Sequence, residues 1–82
     1  MNMYEIYRHC HNVSHDAEFL IYDNYESFRG YYGKARAYIQ KGKLKDFTID
    51  QQDFPVDLFR LETDEDDDST IVRIYAPRWK RK

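Results

Sequence analysis

The side chains with the greatest potential for chemistry lie together near the N-terminus: His9, Cys10, His11, His15 and Asp16. Imidazole, thiolate and carboxylate groups are the usual ligands of zinc, and the same types can serve as nucleophile, base and orienting acid. If this stretch is a strand, however, His9 and Cys10 point to opposite faces, and there is no second CxxC or HxxxH group to complete a tetrahedron. We therefore expect no metal site and no catalytic residue here, and interpret the cluster as a buried cysteine beside exposed histidines.

Motifs that activate a nucleophile or bind a phosphate are also missing from the sequence. It contains no nucleophile elbow and no glycine turn of the kind that forms an oxyanion hole. Gly30 and Gly33 fall within a helical pattern, whereas a phosphate-binding loop needs its glycines between a strand and the start of a helix. The sequence therefore predicts a protein that is not an enzyme and binds no cofactor.

Acidic residues are concentrated in one short segment, the acidic tip, which consists of Asp64, Glu65, Asp66, Asp67 and Asp68. Carboxylates at alternate positions resemble the start of an EF-hand loop, but the glycine and the final glutamate of that loop are absent. A solvated hairpin tip is one interpretation. Another is that the acids imitate the phosphate spacing of a nucleic acid and bind a partner rich in Lys and Arg. The acids that would extend such a surface are Asp46, Asp50, Asp53 and, as a candidate contact residue, Asp57.

Positive charge is concentrated in a second candidate surface, the basic face. Cations interleaved with aromatic rings are typical of sites for single-stranded nucleic acid, although a sequence pI of about 5.9 opposes binding to phosphate. The alternative is a solvated helix face that docks on the acidic hairpin. The candidate residues of the basic face are Arg29, Tyr31, Lys34, Arg36, Lys41, Lys43, Lys45 and Trp79.

The two surfaces reflect a separation of charge along the chain. Residues 1–28, 29–45, 46–68 and 69–82 carry formal charges of -4, +6, -9 and +5, which together give the net charge of -2. Blocks of one sign usually mark solvated faces that pair with each other, but charged partners are engaged in the same way.

The element that should position the basic face is a helix over residues 23–42. Asp23 and Glu26 have the spacing of a capping box, and Gly42 is typical of a C-terminal stop. An apolar stripe between these ends predicts burial of one face. The stripe consists of Phe28, Tyr32, Ala35 and Ile39. In the alternative interpretation Gly30 breaks the helix, and residues 29–34 form a turn.

Strands are predicted around this helix. Residues 3–10 alternate and should pair with residues 18–22 as a hairpin, Phe47 and Ile49 suggest a short strand, and residues 56–62 and 70–76 form a clear hairpin around the acidic tip. The fold class is therefore α+β: a mainly antiparallel sheet of four or five strands with one helix packed on a face. We expect a single domain over residues 1–82, with residues 78–82 as a flexible basic tail.

The location of the protein follows from what the sequence lacks. It has no apolar run of membrane-spanning length and no signal peptide, and its single cysteine, Cys10, cannot form an internal disulfide. We expect a cytoplasmic protein.

The first half of the chain resembles the opening of many small proteins of phages and other mobile elements. The resemblance rests on the order YEIYR, a polar turn, EFLIYDNYESF and a helix ending KARAYIQKG. It implies a stand-alone protein that occupies a host protein, as inhibitors of CRISPR-type defence do, and it transfers no functional residue. We expect a non-enzymatic protein that inhibits or modulates a host protein, such as a nucleic-acid-binding defence complex, through its charged faces. The alternative is a small nucleic-acid-binding protein that uses the basic face.

Overall fold

The fold combines one sheet with short helices, so the predicted α+β class is confirmed. The computed structural model describes residues 1–11, 13–30, 38–64, 66 and 68–79. The elements in chain order are α1 (Met3–His9), β1 (Glu18–Tyr22), α2 (Tyr25–Arg29), β2 (Gln40–Lys43), a 3-10 turn (Leu44–Asp46), α3 (Ile49–Asp53), β3 (Leu58–Thr63) and β4 (Thr70–Tyr75).

The four strands lie in the order β2-β1-β4-β3. The pairs β1–β2 and β3–β4 are antiparallel, and the second is the predicted hairpin around the acidic tip. The central pair, β1–β4, is parallel. Local patterns do not predict this pair, because β1 and β4 are separated by most of the chain.

Each face of the sheet has its own core. On the α1 face, Phe19 and Ile21 of β1 and Val72 and Ile74 of β4 are buried together with residues of α1. On the α2 face, Leu20 and Tyr22 are buried with Phe28 of α2. Successive side chains of β1 therefore point alternately into the two cores, which explains why EFLIY is almost continuously apolar.

The predicted strand over residues 3–10 is wrong, because this segment forms α1. The side chain of Asn2 accepts a hydrogen bond from the Glu5 N–H at 2.8 Å and caps the helix. Met3 and Ile6 are buried on one side, with Cys10 half-buried four residues later. This spacing of three and four residues is helical, although the same letters also approximate an alternating strand. The hairpin predicted between residues 3–10 and β1 is consequently wrong as well.

The predicted helix over residues 23–42 is also wrong in its extent. Helix α2 has five residues, its N-cap is Asn24 rather than Asp23, and Gly30 follows its last residue in an extended conformation. Gly30 thus ends the helix, as the alternative interpretation held, while most of the turn that it placed at residues 29–34 lies outside the described residues. Gly42 lies inside β2 rather than at a helix end. Phe28 is buried and Ile39 is half-buried against the core, whereas Tyr32 and Ala35 lie outside the described residues.

The strand predicted at Phe47 and Ile49 is replaced by a turn and a helix. Phe47 is buried between the 3-10 turn and α3, and Ile49 is exposed on α3. A capping box starts α3, since the Thr48 hydroxyl accepts from the Gln51 N–H and the Gln51 side chain accepts from the Thr48 N–H. The sequence TIDQ carries this signal.

Candidate functional site

The acidic tip is a tight turn organised by Asp64. The Asp64 N–H donates to the Ser69 carbonyl at 2.8 Å, and its own carbonyl accepts from the Asp68 N–H at 2.9 Å. The Asp64 carboxylate accepts from the Asp66 N–H at 2.9 Å. Asp68 has a φ of 61°, a left-handed conformation that Asp tolerates better than most residues. The backbone and carboxylate of Asp64 therefore organise the turn, and the side chains of Asp66 and Asp68 are exposed to solvent.

Negative charge at the tip is not neutralised by any Lys or Arg that the structure describes. Asp66 and Asp68 are exposed and Asp64 is half-buried. Within the described ranges, no Lys or Arg nitrogen lies within 4 Å of a carboxylate oxygen of these three residues. Glu65 and Asp67 lie outside the described residues, so the charge of the segment is at least that of the three described aspartates.

The remaining predicted acids differ in their positions and in their local partners. Asp57 immediately precedes β3 and the tip follows it, so the six-residue strand separates them by about 20 Å. Asp46 accepts a hydrogen bond from the Lys43 N–H, and Asp53 accepts one from the Asn2 side chain. Asp50 is exposed on α3. Asp57 and the acidic tip therefore lie at opposite ends of β3, and the phosphate-like series stays a prediction.

The described cations of the basic face mostly have acidic or aromatic neighbours. Lys43 lies 3.9 Å from Asp16, and Arg29 lies 4.0 Å from Glu26. The ammonium of Lys41 lies 5.5 Å from the centre of the Tyr38 ring. A hydrogen bond with Tyr38 raises the pKa of Lys41, and the charges of Tyr38 and Glu18 add to the effect. Lys45 is exposed on the 3-10 turn, and Tyr31, Lys34 and Arg36 lie outside the described residues.

Trp79 does not contribute a stacking surface, because it belongs to the core. It is only 7% exposed, and its ring packs edge-on against Phe47 and Phe54. The indole N–H donates to the Gln40 side chain at 3.0 Å. The prediction of Trp79 as an exposed contact in a free tail is therefore wrong. Arg78 is exposed, and residues 80–82 lie outside the described residues.

A charged cluster that was not predicted from the sequence lies on the α2 face of β3 and β4. Glu62 forms an ion pair with the Arg73 Nε and lies 3.8 Å from an Arg60 nitrogen. Arg73 donates to the Gly30 carbonyl at 2.9 Å and Arg60 to the Phe28 carbonyl at 3.4 Å. The two arginines thus satisfy carbonyl groups at the C-terminal end of α2. Their alternation with apolar residues in LFRLET and TIVRIY was the available signal, since it places all three side chains on one face.

The same cluster influences a buried tyrosine. Tyr22 is fully buried, and burial raises the pKa of its phenol above the ordinary value of 10.0. The positive charge of Arg73 acts in the opposite direction on this pKa, and Glu62 reinforces the increase. The phenol is therefore held neutral at physiological pH.

The N-terminal histidines and cysteine lie on a helix end and the following turn. His9 and Cys10 do not point to opposite faces of a strand, because both line a groove of about 250 Å³ between α1 and β3. The groove is mainly apolar, and its other walls include Ile6 and Phe59. Among the residues that the structure describes, no three His, Cys, Asp or Glu side chains are placed to hold a metal ion.

Comparisons with known proteins find no relative of this chain. No family model, curated protein or solved structure matches this chain. No helix in the described part of the chain has the length and apolar character needed to cross a membrane.

Proposed function

We propose that this protein is a small, non-enzymatic binding protein whose acidic tip docks on a basic surface of a partner protein. The observation that carries the proposal is the charge of Asp64, Asp66 and Asp68 at the end of the β3–β4 hairpin, which no Lys or Arg of the described residues neutralises. Backbone hydrogen bonds from Asp64 to Ser69 and from Asp68 to Asp64 hold the three residues in one turn, and preorganisation of a binding segment favours affinity.

The contrast with the basic face supports the choice of the acidic surface. Lys43 and Arg29 each have a carboxylate within 4.0 Å, and Lys41 lies over a tyrosine ring. A partner that binds these cations must compete with groups of the chain itself. In the described residues, the tip carboxylates have no such competitor. Among the described charged surfaces, the tip is therefore the one where an oppositely charged group of a partner should bind most favourably.

The chemistry of the tip suggests the class of partner. Closely spaced carboxylates suit Lys and Arg clusters, which are characteristic of proteins that bind nucleic acid. A partner occupied in this way would be inhibited or modulated, because its nucleic acid could not bind at the same time. A cytoplasmic host protein, such as a nucleic-acid-binding defence complex of the kind that phage proteins inhibit, fits this description.

Direct binding of single-stranded nucleic acid by the basic face has less support. Its proposed tryptophan, Trp79, is buried and already hydrogen-bonded to Gln40, so it offers no ring for base stacking. Of the described cations of the basic face, Arg29 and Lys43 each lie within 4.0 Å of a carboxylate, and Lys41 lies over the Tyr38 ring. This leaves Lys45 as an exposed cation without an ion pair among the described residues.

The test compares two charge-matched variants. Asp66→Asn with Asp68→Asn removes two charges from the tip, whereas Asp50→Asn with Asp57→Asn removes two exposed charges elsewhere. Immobilised wild type and both variants are used to capture partners from a host lysate, with nucleic acid digested and undigested in parallel. Affinity for the captured partner is then measured at several salt concentrations.

We expect the tip variant to weaken partner binding at least tenfold more than the matched control, with a shallower dependence on salt. Equal weakening by both variants would contradict a specific role of the tip. Retention that depends on undigested nucleic acid and is lost on replacing Arg29, Lys34 and Arg36 with Gln would favour the nucleic-acid alternative instead.

A further inference from the structure

The outer edge of β3 has no partner strand among the residues that the structure describes. In the part of the chain that the structure describes, β3 has a neighbour on one side only, namely β4. The pairing of Asn2 with Pro55 lies before β3 begins and does not cover it. An exposed strand of six residues offers a row of backbone donors and acceptors to another strand.

The direction of these backbone groups follows from the hairpin. The Asp64 N–H bonds to Ser69 of the neighbouring strand segment, and in an antiparallel pair alternate residues face the partner. Arg60 and Glu62 therefore direct their N–H and C=O groups towards β4. The groups of Phe59, Leu61 and Thr63 are directed outwards, away from the sheet.

We propose that β3 pairs antiparallel with β3 of a second copy of this chain, about a two-fold axis at Leu61. The two four-stranded sheets would then form one sheet of eight strands. A two-fold axis makes the interface self-complementary, because each residue repeats its contact on the other side. Leu61 is 37% exposed, so the side chain at the centre of this interface has apolar surface left to bury.

Charge on β3 selects this register over its neighbours. With Leu61 opposite Leu61 of the second copy, Arg60 lies opposite Glu62 twice. If one strand slides by two residues relative to the other, Arg60 lies opposite Arg60 of the second copy in one direction, and Glu62 lies opposite Glu62 in the other. Like charges directly opposite each other destabilise a strand pair. All three registers bond the same outward-facing backbone groups, so the side-chain charges decide between them.

The spacing within the proposed pair favours these contacts. Arg60 and Glu62 form pairs without backbone hydrogen bonds, in which the Cα atoms lie about 4.5 Å apart and the side chains are close. Both side chains retain exposed surface, 28% and 31% respectively, so the contacts across the edge would add to the ion pairs that they already form within the chain.

The proposed dimer separates the two acidic tips. Antiparallel pairing places Asp64 opposite Leu58 of the second copy, so the two Asp64 positions lie about 20 Å apart along the strands. The tips point in opposite directions and their mutual repulsion is small at physiological salt, where the Debye length is about 8 Å. The inference does not rest on the proposed function of the tip.

Two lysine substitutions on the same strand test the register. Leu61→Lys would place two ammonium groups against each other at the two-fold axis. Leu58→Lys would place each ammonium opposite Asp64 of the other copy. Both residues are exposed leucines of β3, 37% and 47% respectively, so the variants change the same residue type and the same charge. Circular dichroism checks that both are folded.

Sedimentation and light scattering over micromolar to millimolar protein concentrations measure the association, because a short edge pairing belongs to the weak class of interfaces. We expect wild type to dimerise, Leu61→Lys to weaken the dimer at least tenfold, and Leu58→Lys to keep or tighten it. Wild type that stays monomeric throughout, or two variants with equal effects, would overturn the proposal. The tip variant should dimerise like wild type, so a failure of the proposed function and a failure of this inference are distinguishable.

Discussion

The two edge strands of the sheet, β2 and β3, differ in how well their outer backbone groups are protected. β2 has four residues, carries Lys41 and Lys43, and its Lys43 N–H donates to the Asp46 carboxylate at 2.9 Å. β3 has six residues, and its two charged side chains are held under α2. Short length, lysine and a local cap are the usual protections of an edge. Within the described residues, the β2 edge is thus closed, and the β3 edge is left able to pair.

Local sequence explains the closed edge. The segment KGKLKD brings Asp46 back to Lys43 through the 3-10 turn. A Cβ on Gly42 would lie 2.9 Å from the Cβ of Asp46, which is closer than real contacts allow. Glycine is therefore required for the turn to fold against the strand, and the cap depends on both residues.

Among the substitutions that test the difference between the two edges, Trp79→Ala should reduce the stability of the fold most. Its ring packs on Phe47 and Phe54 and its N–H bonds to Gln40 at the start of β2. Loss of a buried tryptophan of this kind costs about 3–5 kcal/mol, which denaturant unfolding would measure.

Amide hydrogen exchange then locates the damage from Trp79→Ala. We expect protection to fall more in residues 40–43 than in residues 58–63, because Trp79 anchors β2 and does not contact β3 in the described set of ring contacts and hydrogen bonds. Trp79→Phe is the control, since it keeps an aromatic ring and removes the N–H. Uniform loss of protection in both strands would contradict a separate anchoring of the closed edge.

A smaller effect is expected from Asp46→Ala, which removes the acceptor of the Lys43 N–H. The stability of the fold should fall by about 1 kcal/mol, as for an ordinary hydrogen bond at an exposed site. The Lys43 amide should also exchange faster in NMR measurements. Asp46→Asn retains an acceptor oxygen and should lose less. Unchanged exchange of the Lys43 amide would show that this carboxylate does not close the edge.

The smallest effect is expected at high pH and concerns Tyr22, whose phenol interacts with the charged cluster on β3 and β4. Burial raises the pKa of Tyr22 above 10.0 in the folded protein. Above about pH 10 the unfolded chain loses this proton first, so folding stability falls as pH rises, while below that pH the contribution is complete. Tyr22→Phe should flatten this alkaline loss in unfolding experiments. An equal loss in wild type and variant would mean that Tyr22 does not contribute to it.

The strongest local signals in the sequence were sufficient for part of this description. The hairpin of β3 and β4 and the run that forms β1 were predicted at their places, because β-prone residues alternate there and turn residues separate them. The position of the acidic tip between the two strands was predicted in the same way, and its described residues Asp66 and Asp68 are exposed. The charge blocks were also visible directly.

Tertiary structure decided the rest, because several patterns fit two local structures equally well. Met3, Ile6 and Cys10 suit a strand or a helix, and the Asn2 cap together with burial against the sheet selects the helix. Trp79 follows a basic, tail-like sequence, and only Phe47 and Phe54, brought together by the turn and α3, create the site that buries it. The parallel pairing of β1 with β4, and hence which strands form the edges, depends on contacts distant in sequence that no local pattern encodes.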